Sequence, residues 1–230
     1  MIITNLFSVF DPSSSLFNYS INWVSSILFI IILVPSFWVI PGKFSVTIKI
    51  IMNKLHREFK TLLGPTSFVG STTMFVSIFL FILINNFLGL FPYIFTASRH
   101  MALTITLSLP LWISFILFGW INYYNYIFAH LVPIRTPGPL IPFIVLIETI
   151  RNIIRPLTLA VRLIANIVAG HLLITLLGNQ TAAASGLILA TLLFTQILLL
   201  TLESAVAVIQ SYVFAVLSTL YSSEITSHQW

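Results

Sequence analysis

The sequence of 230 residues contains no cysteine, and only 7% of its residues are charged. The lack of cysteine excludes disulfide bonds and thiol chemistry. Soluble domains carry about 25% charged residues, so the low charge excludes an ordinary soluble fold. With 58% hydrophobic residues and a mean hydropathy of +1.07, the composition predicts an all-α polytopic membrane protein made of one domain, residues 1–230.

Several motifs of enzymes are also missing. The sequence has no GxxxxGK phosphate loop and no HExxH motif, and Asp11 is its only aspartate. We therefore expect no catalytic site, cofactor or metal. Residues 1–20 carry one charge and no basic leader, so we expect insertion through the hydrophobic segments themselves, and synthesis inside the organelle if the protein works in one.

Five of the ten basic residues lie within positions 43–60. The positive-inside rule explains this cluster better than nucleic-acid binding does, so we expect no nucleic-acid partner. If this cluster lies on the inner side of the membrane, Arg135 and the carboxyl tail lie on the inner side as well. The amino terminus and the loop that carries Arg99 then lie outside.

Hydropathy predicts five membrane-entering helices, each at least as long as the roughly 20 residues that a bilayer requires. Residues 47–63 differ, because apolar side chains recur at helical spacing and basic ones occupy the other side. This pattern predicts an amphipathic helix in the membrane interface, with a soluble docking helix as the alternative. The predicted membrane helices are 21–40, 68–92, 101–129, 142–177 and 186–221.

The last two segments are too long for upright spans. Each has 36 residues, which as a helix extend about 54 Å, whereas the bilayer core is about 30 Å thick. We predict two steeply tilted antiparallel helices, joined near residues 178–181, with a possible kink at Pro156.

Residues 148–171 place polar groups inside this apolar sequence. A central arginine costs about 2.5–3.5 kcal/mol on insertion scales, so Arg162 predicts an ion path or a relay. The alternative is a structural ion pair with a carboxylate. At 100° per residue, Arg151, Arg155, Arg162 and Asn166 share one side of the helix. His171 lies half a revolution away, which predicts that it faces a different neighbour.

The last segment carries Glu203, with Gln196 and Gln210 seven residues to either side. Interhelical hydrogen bonds to a protonated Glu203 are one interpretation, and a proton relay with His171 is the other. Asn85 and Asn86 likewise either line a polar path or bond across helices. An arginine does not release its proton, so Arg162 serves as a fixed charge.

Five motifs at these residues resemble the mitochondrial subunit a family of ATP synthases. They are HREFKTLLGP (56–65), NNFLGLFPY (85–93), AHLVP (129–133), IRPLTLAVRLIANIVAGHLL (154–173) and LESAVAVIQSYVFAVLSTLY (202–221). The resemblance covers most of the chain, and the last two motifs are highly specific.

The resemblance implies a membrane stator that faces a rotating ring of subunits, each with a carboxylate at mid-membrane. Arg162 matches the essential arginine that faces that carboxylate. The resemblance further implies that Asn166 and Gln210 lie beside this contact. It also implies other stator partners and the mitochondrial inner membrane. The implied half-channel residues are His171, Glu203 and Asn86 on the intermembrane-space side and Glu148 on the matrix side.

A stand-alone transporter or channel is a competing class. It would need its own binding site, often within an inverted repeat with broken helices, and the sequence shows no such repeat. Copurification with a ring would distinguish a stator from a transporter.

Overall fold

A computed structural model describes residues 20–27, 42–64, 68, 70–91, 94–95, 97–130, 137–181 and 184–226. Every regular element in these ranges is helical, as predicted. Five α-helices follow one another, with 3-10 helices at Ile21–Ser26, Ala97–Arg99 and Gly138–Leu140. The α-helices are α1 (Lys43–Leu63), α2 (Ser71–Leu88), α3 (Met101–His130), α4 (Ile141–Thr181) and α5 (Leu187–Thr226).

The first predicted span, 21–40, is described only at its start. Ile21–Ser26 is a 3-10 helix there, and not the start of an α-helix. Residues 28–40 lie outside the described residues, so this span stays a prediction. Among the described residues, α2 to α5 each contain a segment that is long and apolar enough to cross a membrane.

α1 is amphipathic and packs against the membrane helices. It begins at Lys43, directly after Gly42 and four residues before the predicted boundary at residue 47. Phe59 is fully buried and Leu63 nearly so, in a cluster with Phe75 of α2 and Ala215 of α5. Its basic side chains stay exposed on the other face. The helix thus joins the bundle at its carboxyl end.

α4 and α5 are the two long helices that the sequence predicted. α4 has 41 residues and α5 has 40, so each extends about 60 Å. α4 runs through Pro156 as one continuous helix, and also through Gly178, where we expected the connection to begin. The turn into α5 instead uses Gly186, whose φ of +64° favours glycine.

A second apolar cluster joins α4 to α2, α3 and α5. Ile82 of α2 and Phe214 of α5 pack against Leu159, Leu163 and Ile167, all on one face of α4. Leu107 and Leu111 of α3 pack against the same cluster. The opposite face of α4 is exposed, and the polar residues of interest lie on it or at its edges.

Candidate functional site

Three polar contacts join α4 to α5 along their length. Arg155 Nη1 lies 3.0 Å from Glu224 Oε2, Asn166 Nδ2 donates to Gln210 Oε1 at 3.0 Å, and His171 Nε2 lies 3.4 Å from Glu203 Oε1. Residue numbers rise along α4 while those of the partners fall along α5. The two helices are therefore antiparallel, and the polar contacts extend over 16 residues of α4, about 24 Å.

His171 and Glu203 form the contact nearest the connection between the two helices. Both side chains are largely buried, at 15% and 9% exposed. An imidazole and a carboxylate at this separation can exchange a proton through one water molecule, or directly after a small approach of the two side chains. The sequence resemblance paired these residues, and the structure brings them together.

Our expectation that His171 faces a different neighbour from the arginine side was wrong. His171 contacts α5, as do Arg155 and Asn166. The reason lies at the preceding position. A Cβ built on Gly170 would lie 2.9 Å from Glu203 Oε1, so the carboxyl group rests on bare backbone there and lies within reach of the next side chain.

Asn166 and Gln210 meet near the middle of α4. Gln210 is buried, so the hydrogen bond from Asn166 satisfies its carbonyl oxygen in an apolar setting. Asn166 itself stays exposed on the outer side. The pair thus fixes the orientation of an amide at the edge of the exposed face of α4.

Arg162 lies on that exposed face, one turn before Asn166. Its guanidinium has no hydrogen bond or ion pair with any residue that the structure describes. The structure thus offers no support for the alternative in which Arg162 pairs with a carboxylate of its own chain. Ala165 and Ala169 lie on the same face and are also exposed. Small neighbours leave room for another surface to approach the guanidinium closely.

Glu148 lies far from the His171 end of the helix, near the start of α4. Its Oε2 is 3.0 Å from Arg151 Nη1, one turn along the same helix, and the side chains are 27% and 59% exposed. Glu148 and Arg151 thus form an accessible ion pair near one end, as His171 and Glu203 form a buried pair toward the other.

Arg155 lies between these regions and contacts the end of α5. It pairs with Glu224 and its guanidinium carbon is 5.4 Å above the ring of Tyr221. The sequence analysis placed Arg155 on one side of the helix and assigned it no role. Glu224 was missed because the predicted helix ended at residue 221. The absence of glycine and proline from 222–226 was the available signal that the helix continues.

Asn86 is buried near the end of α2, at 4% exposed. Both its amide nitrogen and its amide oxygen lack a hydrogen-bond partner among the described residues. It lies one turn beyond Ile82, which belongs to the same apolar cluster as Ile167 of α4. Asn85 differs, since its Nδ2 donates to the backbone oxygen of Phe81. Of the two asparagines, Asn86 is therefore the one whose whole amide is buried and unbonded among the described residues, and a water molecule can satisfy it.

The segment before α3 carries an aromatic cluster that the sequence did not predict. His100 lies 5.2 Å from the ring centroids of both Trp23 and Phe95. Ser25 Oγ donates to the backbone oxygen of Phe95 at 2.8 Å. These contacts hold the segment at 20–27 against the chain that leads into α3, and the adjacent turn Ala97–Arg99 packs on α4.

Comparison with known proteins identifies the family. The family model of the ATP synthase A chain matches residues 19–223. ATP synthase subunit a of Anopheles gambiae is 61% identical over 225 residues, and that of Aedes aegypti is 60% identical over 225 residues. The Drosophila melanogaster subunit is 58% identical over 224 residues, and each alignment covers 97% of this chain and 100% of the relative. These matches confirm the resemblance drawn from the five motifs, and the chain belongs to the ATP synthase A chain family.

Proposed function

We propose that this chain is the proton-conducting stator subunit of a mitochondrial ATP synthase and that it couples proton flow to ring rotation and ATP synthesis. The observation that carries the proposal is the position of Arg162. It lies exposed on an alanine-lined face, without a partner among the described residues, beside the polar contacts of α4 and α5. Such a cation suits a carboxylate supplied by another chain.

The outer half-channel is assigned to the His171–Glu203 pair with Asn86. A proton from the intermembrane space passes through these groups and neutralises a ring carboxylate. The supporting features are the 3.4 Å separation of His171 and Glu203 and the unsatisfied buried amide of Asn86, a site where an ordered water can bind. Once neutral, the ring site can turn into lipid, where a bare charge would be costly.

The matrix half-channel is assigned to the Glu148 end of α4. The returning ring carboxylate meets the field of Arg162, and two unit charges about 4 Å apart interact by about 4 kcal/mol at an effective dielectric near 20. That energy favours the ionised carboxylate and so promotes proton release toward Glu148. The accessible Glu148–Arg151 pair suits a path that opens to solvent.

Arg162 also separates the two half-channels, because a permanent cation repels a proton that would pass directly between them. Asn166 and Gln210 orient the polar groups beside this contact. The chain itself carries out no ATP chemistry, which belongs to other subunits of the complex. Its partners in this proposal are the ring, the other stator subunits and the lipid bilayer.

We place the protein in the mitochondrial inner membrane, with the amino terminus toward the intermembrane space. The basic residues of α1 then lie on the matrix side, in agreement with the positive-inside rule. Synthesis within the organelle remains part of the proposal.

The test is substitution of Arg162 in the intact synthase, reconstituted in vesicles. Arg162→Ala should abolish ATP synthesis driven by a proton gradient. Arg162→Lys keeps the charge but loses the planar fork, so we expect it to be strongly impaired as well. Arg57→Ala, which removes an exposed arginine of α1, is the matched control and should leave synthesis unchanged. Normal synthesis by Arg162→Ala would refute the proposal.

A further inference from the structure

A groove of about 840 Å³ runs between α1 and α2, away from the polar contacts of α4 and α5. On α1 its lining recurs every three or four residues from Ser45 to His56, so it follows one face of the helix for about three turns. The facing wall of α2 extends from Thr73 to Phe81. Packing of α1 against α2 at Phe59 and Phe75 closes the groove at one end.

The wall of the groove divides into two chemical parts. Ile48 and Met52 of α1 oppose Val76, Leu80 and Phe81 of α2, which gives an apolar floor. Polar groups accompany it on the α1 side, where the lining includes Lys49, Asn53 and His56. The groove is therefore amphipathic along its length.

The charge of this lining is of one sign. Lys49 is its only fully charged residue, and no acid belongs to it. Glu58, the single acid of α1, is exposed and does not line the groove. An occupant with an anionic end and an apolar body would match both parts. A docked protein helix would match this lining only if it placed an acidic side chain at Lys49. A phospholipid has the anionic and the apolar part in one molecule.

We propose that the groove binds an anionic phospholipid, with the phosphate at Lys49, Asn53 and His56 and one acyl chain along Val76, Leu80 and Phe81. Basic pockets beside membrane helices are a recurring form of recognition for anionic head groups. This site goes beyond proton transfer and uses no residue assigned to either half-channel.

The charge requirement is tested with the intact synthase purified in detergent. The enzyme is mixed with phosphatidylcholine that contains a minority of phosphatidylglycerol, and the bound lipid is counted by native mass spectrometry. Loss of one lysine near a membrane surface corresponds to about a fivefold loss of binding, so Lys49→Gln should reduce bound phosphatidylglycerol by about that factor. Lys54→Gln removes the same charge from an exposed position of α1 outside the groove and should have little effect.

The location is tested by a photo-crosslinker at Ser77, which lines the α2 wall and is exposed. Because the chain has no cysteine of its own, Ser77→Cys gives it one attachment point for a benzophenone maleimide. We expect phosphatidylglycerol adducts on this chain, and about fivefold fewer of them when Lys49→Gln is added. Ser77→Phe, which fills the groove without changing charge, should reduce bound phosphatidylglycerol as well.

Three results would overturn the proposal. The first is equal loss of phosphatidylglycerol from Lys49→Gln and Lys54→Gln, which would show only general attraction to the basic face. The second is equal labelling of phosphatidylcholine and phosphatidylglycerol. The third is a peptide adduct from another subunit, or from another part of this chain, in place of lipid. None of these results would bear on proton conduction, since Lys49 and Ser77 lie outside the half-channels.

Discussion

Gly170→Ala is expected to slow proton delivery to the ring while leaving the fold intact. The new Cβ would lie 2.9 Å from Glu203 Oε1 and 3.1 Å from its Cδ, whereas ordinary contacts begin at about 3.4 Å. The carboxyl oxygen would therefore have to move by about 0.5 Å, the difference between 3.4 and 2.9 Å. It is already 3.4 Å from His171 Nε2, so this displacement threatens the contact itself.

The energies separate the effect on function from the effect on folding. Overpacking costs about 1–3 kcal/mol, and the lower end applies because the Glu203 side chain can turn. Alanine is favoured over glycine inside a helix by about 0.5–1 kcal/mol, which offsets much of that cost. A misplacement of 1 Å can cost about 100-fold in rate, so half that distance should cost about tenfold in proton flux.

The assay is proton flux through the intact synthase in vesicles, followed with a pH-sensitive dye under an imposed gradient. Gly178→Ala is the matched control, because it makes the same change in the same helix and its Cβ would meet nothing within 4 Å. It should keep normal flux. If the two variants behave alike, the close approach of Glu203 to Gly170 has no part in proton delivery, and the reasoning fails.

Three further predictions follow from other contacts. Glu203→Gln keeps the shape of a buried side chain but removes its exchangeable charge, so the complex should assemble while proton flux falls; unchanged flux in reconstituted vesicles would contradict a relay. Phe59→Ala empties a fully buried site and should destabilise the docking of α1 by about 3–5 kcal/mol, seen as faster hydrogen exchange along α1; unchanged exchange would show that Phe59 does not anchor it. Glu224→Gln removes an ion pair whose side chains are 30% and 54% exposed, so thermal stability should change by no more than about 1 kcal/mol, and a larger loss in a melting experiment would give the pair with Arg155 a greater role.

The sequence predicted the α4–α5 hairpin for a physical reason that does not depend on detail. Two apolar segments of 36 residues exceed the bilayer, and a short connection requires antiparallel neighbours. The contacts of Asn166 with Gln210 and of His171 with Glu203 have the antiparallel order that this geometry requires. Length and hydropathy were sufficient to give this pair of long antiparallel helices.

Helical periodicity was insufficient to give the neighbours of individual side chains. It placed His171 half a revolution from Arg162, and this angle about the helix axis is correct. The inference that His171 would therefore contact a different helix was wrong. It took no account of Gly170, whose missing side chain lets Glu203 lie close to the backbone of α4. The helix ends were also shifted, because Gly178 remains helical although glycine costs about 1 kcal/mol in a helix interior.

The packing between α4 and α5 bears directly on how leak is prevented in the proposed function. Between the contacts at Arg155 and Asn166, the inner face of α4 presents Leu159 and Leu163, which pack against Phe214 of α5. Over this interval of about 16 Å, the rise of eleven residues, α4 contributes mainly apolar side chains, and α5 adds buried hydroxyl groups such as Ser218, which donates to the backbone of its own helix. The one charged group of α4 in that interval is Arg162, which is exposed. In the proposed function, a proton therefore passes between the two half-channels over the exposed face of α4, where the passing carboxylate of the ring meets the guanidinium.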